Sequence, residues 1–529
     1  MKQFASIFND VLGPVMRGPS SSHTACSVRI GALAREMAGG SPAALRAEFE
    51  PKGSLAATYR SQGVDVGLAA GLLGMAPDAE GLMDSLAQAR AQGVSVSFHV
   101  TPFPADHPNT YRLTVTGRDG QATRFTALSV GGGMLRVVEI EEFPLLLEGG
   151  FYELLLFFGQ DQQARLDGLE TLLAETSAGR VERIPGPEGW LIRLSSPVPV
   201  EPGVLEAASA LLPPRRVLRL SPVLPTPSQL EPSVPFTSME EMLSARPGRA
   251  LWEIAVEYEA RRGGQAEAEL WRRMENILAV MERGVETGLR GTEYRQRLLG
   301  SQSHRMLDPR RQARMIPDPL QQRIIANISA IMETKSSMGP FAAAPTAGSC
   351  GCLAGTVLAA AQEMGLGRDA VVRALFAAGA VGVLIAQHST FAAEVAGCQA
   401  ECGAGSGMTA AALVELAGGT AREAADAASM ALQNVFGMVC DPVAGGVEVP
   451  CLGKNIMCGL NALASANMAL AGFDAVIPLD ETIGALDRVG RMLPRELRCT
   501  GLEGLTITDT GKRLARRLAG EGGCCGCCC

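Results

Sequence analysis

Five prolines fall within the 15 residues from Ser221 to Pro235. Each fixes φ and removes a backbone donor, so neither a helix nor a central strand can run through this stretch. It reads as a linker over residues 221–237, and the chain patterns differently on its two sides. Behind it, residues 238–519 read almost wholly as helix. From Met338 to Ala471 these helices are rich in Ala and Gly, which suits close helix packing with tight turns between. Val256 to Thr287 is amphipathic, with Trp271, Met274, Ile277, Leu278 and Met281 on one stripe that reads as core.

In front of the linker, helix and strand alternate. Residues 1–147 predict an α+β module, with a helix over Ser27–Met37 and strands at Val94–Thr101, Tyr111–Thr116 and Arg124–Leu128. Ser129-Val-Gly-Gly-Gly133 is too glycine-rich for a regular element and predicts a turn or backbone cradle. Residues 150–220 carry strands at Tyr152–Phe158, Val181–Ile184, Trp190–Leu194 and Arg216–Leu220. Helices at Gln162–Thr176 and Gly203–Leu212 complete the order βαββαβ, that of a ferredoxin-like fold. This unit resembles an ACT domain, an amino-acid-sensing module, although the glycine loop after its first strand is only partly present in Gly159-Gln-Asp-Gln. The fold class expected is therefore multidomain: an α+β module, a ferredoxin-like unit and a mostly α-helical catalytic domain.

The 529 residues suffice for three to four domains at roughly 150 each. Apolar residues are 47% and charged residues 19%, so a large core is available. A net charge of −8 without a basic run argues against nucleic acid or an anionic membrane as a main partner. The start lacks the apolar core and cleavage site of an export signal, and Ala370–Ala386 is interrupted by Arg373, so a buried helix and a cytoplasmic location are expected. In that compartment 14 cysteines point to metal or redox chemistry rather than a disulfide framework. Only Cys26 precedes residue 350, which gives the two ends different tasks.

Four motifs carry chemistry. Gly18-Pro-Ser-Ser-Ser-His-Thr24 leads into a helix and gathers hydroxyls and free N–H groups, which suit a carboxylate; its plain alternative is a helix cap around His23. His107-Pro-Asn-Thr110 lies between strands. Lys335-Ser-Ser-Met-Gly339 precedes Ala344-Pro-Thr-Ala-Gly-Ser-Cys-Gly351, a hydroxyl- and glycine-rich loop able to turn N–H groups toward an anion. No Gly-Lys-Ser/Thr follows, so it is not a nucleotide loop, and no strand–helix array supports a pyridoxal phosphate role for Lys335. Cys398, Cys440 and Cys451 sit in separate loops 42 and 11 residues apart. That spacing is neither a zinc finger nor a ferredoxin array; it fits buried structural thiols or three ligands of a [4Fe–4S] cluster with one open iron.

Taken together, these motifs resemble the iron–sulfur-dependent L-serine dehydratases in a single-chain form with both usual modules fused. The front part contributes Gly18–Thr24, Gly53-Ser-Leu-Ala-Ala-Thr-Tyr59, His107–Thr110 and Ser129–Gly133. The rear part contributes Ala344–Gly351, Gly397-Cys-Gln-Ala-Glu401, the stretch Cys440 to Cys451, and Ile477-Pro-Leu-Asp-Glu481. The resemblance implies Cys398, Cys440 and Cys451 as cluster ligands. It implies His23, Lys335 and His107 as catalytic, and Ser20, Ser21, Ser22, Thr24, Asn109, Ser129, Thr346, Gly348 and Ser349 as substrate-binding. A C-terminal cysteine occupies the open iron in some members, which makes Cys529 a resting-state candidate, although residues 520–529 hold five cysteines. The implied reaction is β-elimination of water from L-serine to give pyruvate and ammonia, with the cluster as Lewis acid. A related lyase acting on cysteine or threonine, and a non-catalytic cluster-holding sensor, remain alternatives. ACT-like units often pair, so a homodimer is expected.

Overall fold

The structure is a computed structural model and describes residues 4–294 and 297–521. The cysteine tail, Cys529 included, lies outside the described residues. A two-residue strand β1 (Val15–Met16) opens the sheet structure. It is followed by β2 (Pro42–Phe49), β3 (Ser95–Val100), β4 (Thr110–Gly117), β5 (Ala122–Gly131), β6 (Met134–Ile140) and β7 (Phe143–Leu147). These last six form one mixed sheet of order β3-β2-β4-β5-β6-β7, in which only the β2–β3 pair is parallel. Helices Cys26–Met37 and Val64–Leu72 pack tightly against one another. Glycines make that approach possible: a Cβ on Gly71 would stand 2.0 Å from Val28 O, and one on Gly31 would stand 2.4 Å from Leu68 O.

The next strands are β8 (Tyr152–Gly159), β9 (Arg180–Gly186), β10 (Gly189–Ser196) and β11 (Arg216–Leu220). They form an antiparallel sheet of order β11-β8-β10-β9, with helices Leu166–Thr176 and Pro202–Leu211 in the βαββαβ sequence. The unbroken apolar run of β8 has a physical cause. Leu154, Leu156 and Phe158 join the core under these two helices, while Leu155 and Phe157 join the core of the six-stranded sheet. Both faces are buried, so the polar alternation of a half-exposed strand is absent.

The rear part is helical, as its composition predicts. Helix Cys402–Leu416 is buried along nearly its whole length. Cys350–Glu363, Arg368–His388, Ala421–Gln433 and Cys451–Leu470 surround it. Ala, Gly and Ser at the contacts allow this packing: Gly407 lies against Leu432, and a Cβ on Gly459 would be 2.5 Å from Thr356 Oγ1. Arg368–His388 is the one helix among the described residues long and apolar enough to cross a membrane, and 78% of its apolar window is buried inside the protein.

Several expectations change in the structure. The amphipathic stretch Val256–Thr287 is two helices, Leu251–Gly263 and Glu267–Arg290, because Gly264 takes φ 64° and ends the first. Ser129 belongs to strand β5, and only Gly131–Gly133, with φ of 100°, 59° and 87°, make the turn. The rear part is not purely helical, since β12 (Phe341–Ala342) pairs with β1. The proline-rich segment is no free tether. Thr226 is buried, donates its N–H to Asn9 Oδ1 (2.9 Å) and accepts at its carbonyl from Asn9 Nδ2 (3.0 Å). Ile7, Phe8, Val11, Leu12 and Met16 lie in the helical core, so the chain's first turn is packed into the rear part.

Candidate active site

Ser21–Ala25 form a single wide turn ahead of helix Cys26–Met37, and Ser20 caps it by accepting from His23 N at 3.3 Å. The turn carries the His23 imidazole into the interior, where it is fully buried. Its Nδ1 lies 2.9 Å from Ser22 Oγ, 3.2 Å from Ser20 Oγ and 3.5 Å from Glu394 Oε1. Its Nε2 lies 2.9 Å from Thr58 Oγ1. Ser22 Oγ donates to Glu394 Oε1 at 3.0 Å. Burial lowers the His23 pKa and the Glu394 carboxylate opposes it; burial wins, so the ring is neutral near pH 7.

Motifs from opposite ends of the chain meet here. Ala347 N, in the loop before helix Cys350–Glu363, donates to Ser21 Oγ at 3.2 Å. Thr346 N donates to Ser349 Oγ (3.2 Å) and Gly348 N to Thr346 Oγ1 (3.1 Å). These N–H groups, read from the sequence as free for an anion, are therefore taken by hydroxyls. Thr346 Oγ1 in turn donates to Glu401 Oε1 at 2.6 Å. Burial, then the charges of Cys398 and Glu394, raise the Glu401 pKa to about 8, so this carboxyl is protonated near neutrality.

The cysteine loops lie next to this floor. Cys398 opens a short 3₁₀ turn, Cys451 opens helix Cys451–Leu470, and Cys440 pairs with the backbone of Leu497 and Cys499. Cys398 and Cys440 pack with Cys352, Cys402, Cys458 and Cys499. A hydrogen bond with the Cys402 thiol, helped by the Lys454 ammonium, brings Cys398 down to about 7 against its burial. A hydrogen bond with Cys499 and burial raise Cys440; burial and the Cys398 charge raise Cys451 to about 12. The Cys398 charge is felt at both other thiols, so the three share one neighbourhood. Among the described residues, no three His, Cys, Asp or Glu side chains converge to hold a single metal ion. Cys398, Cys440 and Cys451 are thiols, the donor type that a [4Fe–4S] cluster would take.

Other sequence candidates fall around this centre. Ser129 Oγ donates to Ser22 O (2.7 Å) and Ser129 N to Asn109 O (3.1 Å), which ties the strand β5 end to the serine turn. His107 is half-buried and its Nδ1 accepts from Asn109 N at 3.1 Å; burial lowers its pKa while Glu394 opposes. Asn109 is fully buried, yet neither Oδ1 nor Nδ2 has a protein partner. Such a group calls for a polar partner, an ordered water or a ligand. Lys335 is buried and donates from Nζ to Val447 O (2.7 Å), in the loop between Cys440 and Cys451. Thr24 turns away: its Oγ1 donates to Gln62 O at 2.8 Å, and it packs where Gly18, Gly63 and Gly67 leave room.

Sequence reading passed over Glu394, Glu401, Thr58 and Asn455 as site residues. Asn455 donates to Gly348 O (2.7 Å) and Cys451 O (2.8 Å) and accepts from Cys352 N (3.0 Å), locking the loop before helix Cys350–Glu363 to the Cys451 helix. The signal for Glu394 is that it is the sole charge between Phe391 and Ala400.

The family model for the serine dehydratase alpha chain matches residues 246–506. A probable L-serine dehydratase alpha chain of Bacillus subtilis (strain 168) is 40% identical over 252 residues, 48% of this chain and 84% of that one. The chain belongs to the L-serine dehydratase family. It is accordingly an enzyme of the lyase class. A probable L-serine dehydratase beta chain of the same organism is 35% identical over 175 residues, 33% of this chain and 77% of that one. The L-serine dehydratase 1 of Escherichia coli (strain K12) is 31% identical over 286 residues, 52% of this chain and 62% of that one. This L-serine dehydratase family member thus carries similarity to both an alpha and a beta chain in one polypeptide.

Proposed function

We propose that this chain removes water from L-serine to give pyruvate and ammonia, using a [4Fe–4S] cluster held by Cys398, Cys440 and Cys451. The observation that carries the reading is the junction of Ser21 with Ala347, flanked by Ser22 on Glu394 and Thr346 on Glu401, the two acids that bracket Cys398 in the chain. When bound, the cluster supplies a Lewis-acid site that stabilises the departing hydroxide. His23 is the candidate base: it takes the Cα proton, and the C–H electron pair expels the β-hydroxyl. The unpartnered Asn109 amide and the hydroxyls of Ser20–Ser22 hold the substrate's polar groups. Lys335, whose ammonium is fixed on Val447 O, supplies positive charge that favours the developing carbanion. The aminoacrylate released tautomerises to an imine, and water hydrolyses it without a protein group.

In the same reading, the unit of β8–β11 is an ACT-like module and the chain pairs as a homodimer in the cytoplasm. The β11-β8-β10-β9 sheet order and its two helices support the first of these. Anaerobically purified protein is the test. It should be brown, carry about four irons and four sulfides per chain, and turn over serine in preference to cysteine and threonine. A colourless protein with full activity would remove the cluster from the reading. Preference for cysteine or threonine would favour the related-lyase alternative.

A further inference from the structure

Among the described residues, Glu394 is the one carboxylate of the helical part that reaches into the serine turn. It is buried, on the short helix Ala393–Ala396, and among the described residues the Ser22 hydroxyl is the one group that donates a hydrogen bond to it. A buried charged acceptor left without a donor is costlier than a ring nitrogen left without one. The single Ser22 proton is therefore committed to Glu394. Ser22 Oγ then has only lone pairs to offer His23 Nδ1 at 2.9 Å and Ser20 Oγ at 3.2 Å; with the Ser20 proton spent on Ser22, Ser20 Oγ too has only lone pairs for Nδ1 at 3.2 Å, and both contacts to the ring are hydrogen bonds only if Nδ1 carries the proton. On the other side of the ring, Thr58 has its own hydroxyl proton and a choice between Ser54 O (2.7 Å) and His23 Nε2 (2.9 Å).

We propose that Glu394 is a positioning residue that, through Ser22, fixes His23 as the Nδ1–H tautomer and so makes Nε2, facing Thr58, the atom that exchanges the proton. The proposal rests on the serine dehydratase reading for the identity of that proton, but the tautomer itself does not depend on it. The arrangement spans the molecule's two parts, since Ser22 and Glu394 are 372 residues apart. It makes the base competent only when the front and rear parts are docked. Among the described residues, the groups besides His23 that feel the Glu394 charge include His107, Cys26, Tyr111 and Glu401, and Glu394 is the one charged group acting on His23.

The test uses the full chain with its cluster, labelled with ¹⁵N-histidine; five histidines are present, and His23→Gln assigns the signal of interest. Neutral Nδ1–H and Nε2–H tautomers have distinct ¹⁵N shifts. The expected spectrum of the wild-type protein near pH 8 shows His23 protonated at Nδ1. Glu394→Gln should lower kcat by about 10²-fold with KM within about threefold, and move the acid limb of the rate profile to lower pH, because a carboxylate that favours imidazolium is gone. Glu394→Asp should recover part of kcat, which a purely structural role would not require. A wild-type His23 proton on Nε2, or a Glu394→Gln enzyme with unchanged kcat and acid limb, overturns the proposal. The spectrum needs no variant of Glu394, so a misfolded Glu394→Gln chain still leaves it decided. If the wild-type chain fails to turn over serine, the functional reading falls and the tautomer measurement alone decides this inference.

Discussion

The backbone N–H of Ala347 donates to the hydroxyl of Ser21 across 326 residues of sequence, at 3.2 Å. With Ser22–Glu394 beside it, this bond makes the floor of the site a seam between the front and rear parts. Neither part alone completes it.

That seam predicts how the chain responds to being cut. A protease site after Glu231 lies in an exposed stretch, while Asn9–Thr226 and the buried Ile7–Met16 segment bind the front part to the helices. The nicked protein should co-elute as one particle and retain serine turnover. Residues 236–529 expressed alone should be inactive and poorly soluble, because Ile7, Phe8, Val11 and Leu12 no longer fill the helical core. Size-exclusion chromatography and a pyruvate assay read both outcomes; activity in the rear fragment alone would contradict a shared site.

The thiols should respond unequally. Cys398→Ser, Cys440→Ser and Cys451→Ser should each abolish the cluster's visible absorption, whereas Cys26→Ala, at the foot of the front helix, should leave it intact. Lys454 bridges Val439 O (2.6 Å) and Asp441 Oδ1 (2.9 Å) and favours the Cys398 thiolate. Lys454→Met removes that ammonium, so the Cys398 pKa rises and reconstitution should slow at pH 7 more than at pH 8.5. Equal rates at the two pH values would show that Lys454 does not bias the thiolate.

Asn109 offers a prediction in which stability and activity move apart. Its amide is buried without a protein partner, so its burial is uncompensated. Asn109→Leu keeps the branch at Cγ and the heavy-atom count and removes that cost, so thermal stability should hold or rise by about 1 kcal/mol. Serine turnover should fall, chiefly through a KM raised by about tenfold or more, since a substrate group loses its partner. A variant that loses stability and keeps KM would show that the amide is structural.

How much of this was legible in the sequence depends on the range of the contact. The strand–helix alternation of Tyr152–Leu220 and the Ala/Gly-rich helices are local patterns, and both elements stand where the pattern puts them. The break at Gly264 does not show in the apolar stripe, because Trp271, Met274, Ile277, Leu278 and Met281 all lie in the second helix, Glu267–Arg290. The proline-rich segment looks like a tether because composition reports stiffness, not the Asn9–Thr226 pair that packs it down. The same holds in the site. His23 is visible as a motif, but Glu394 gains its meaning from a partner 372 residues away, and an isolated acid in an apolar run does not reveal which histidine it faces.

Asp10 gives the last test, of stability against pH. It lies at the junction of the first turn, the six-stranded sheet and the helical part, where Oδ2 accepts from Ser6 N at 2.8 Å. Burial raises its pKa to about 6 from the ordinary 3.8; the Ser6 N–H and Arg262 pull it down, and Glu259 and Glu148 push it up. The folded chain therefore holds a proton between about pH 3.8 and 6 that the unfolded chain has released. Unfolding releases that proton, so this group's contribution to stability falls as pH rises through the window and stays unfavourable above it. Asp10 borders a cavity and is half-buried, so screening by water holds the effect to about 1–2 kcal/mol. Asp10→Asn keeps the acceptor for Ser6 N and removes the charge. Its melting temperature should exceed that of the wild type at pH 8 and the two should converge toward pH 4. A gap that widens on acidification would mean that the Asp10 carboxylate is stabilised by Arg262 more than burial penalises it.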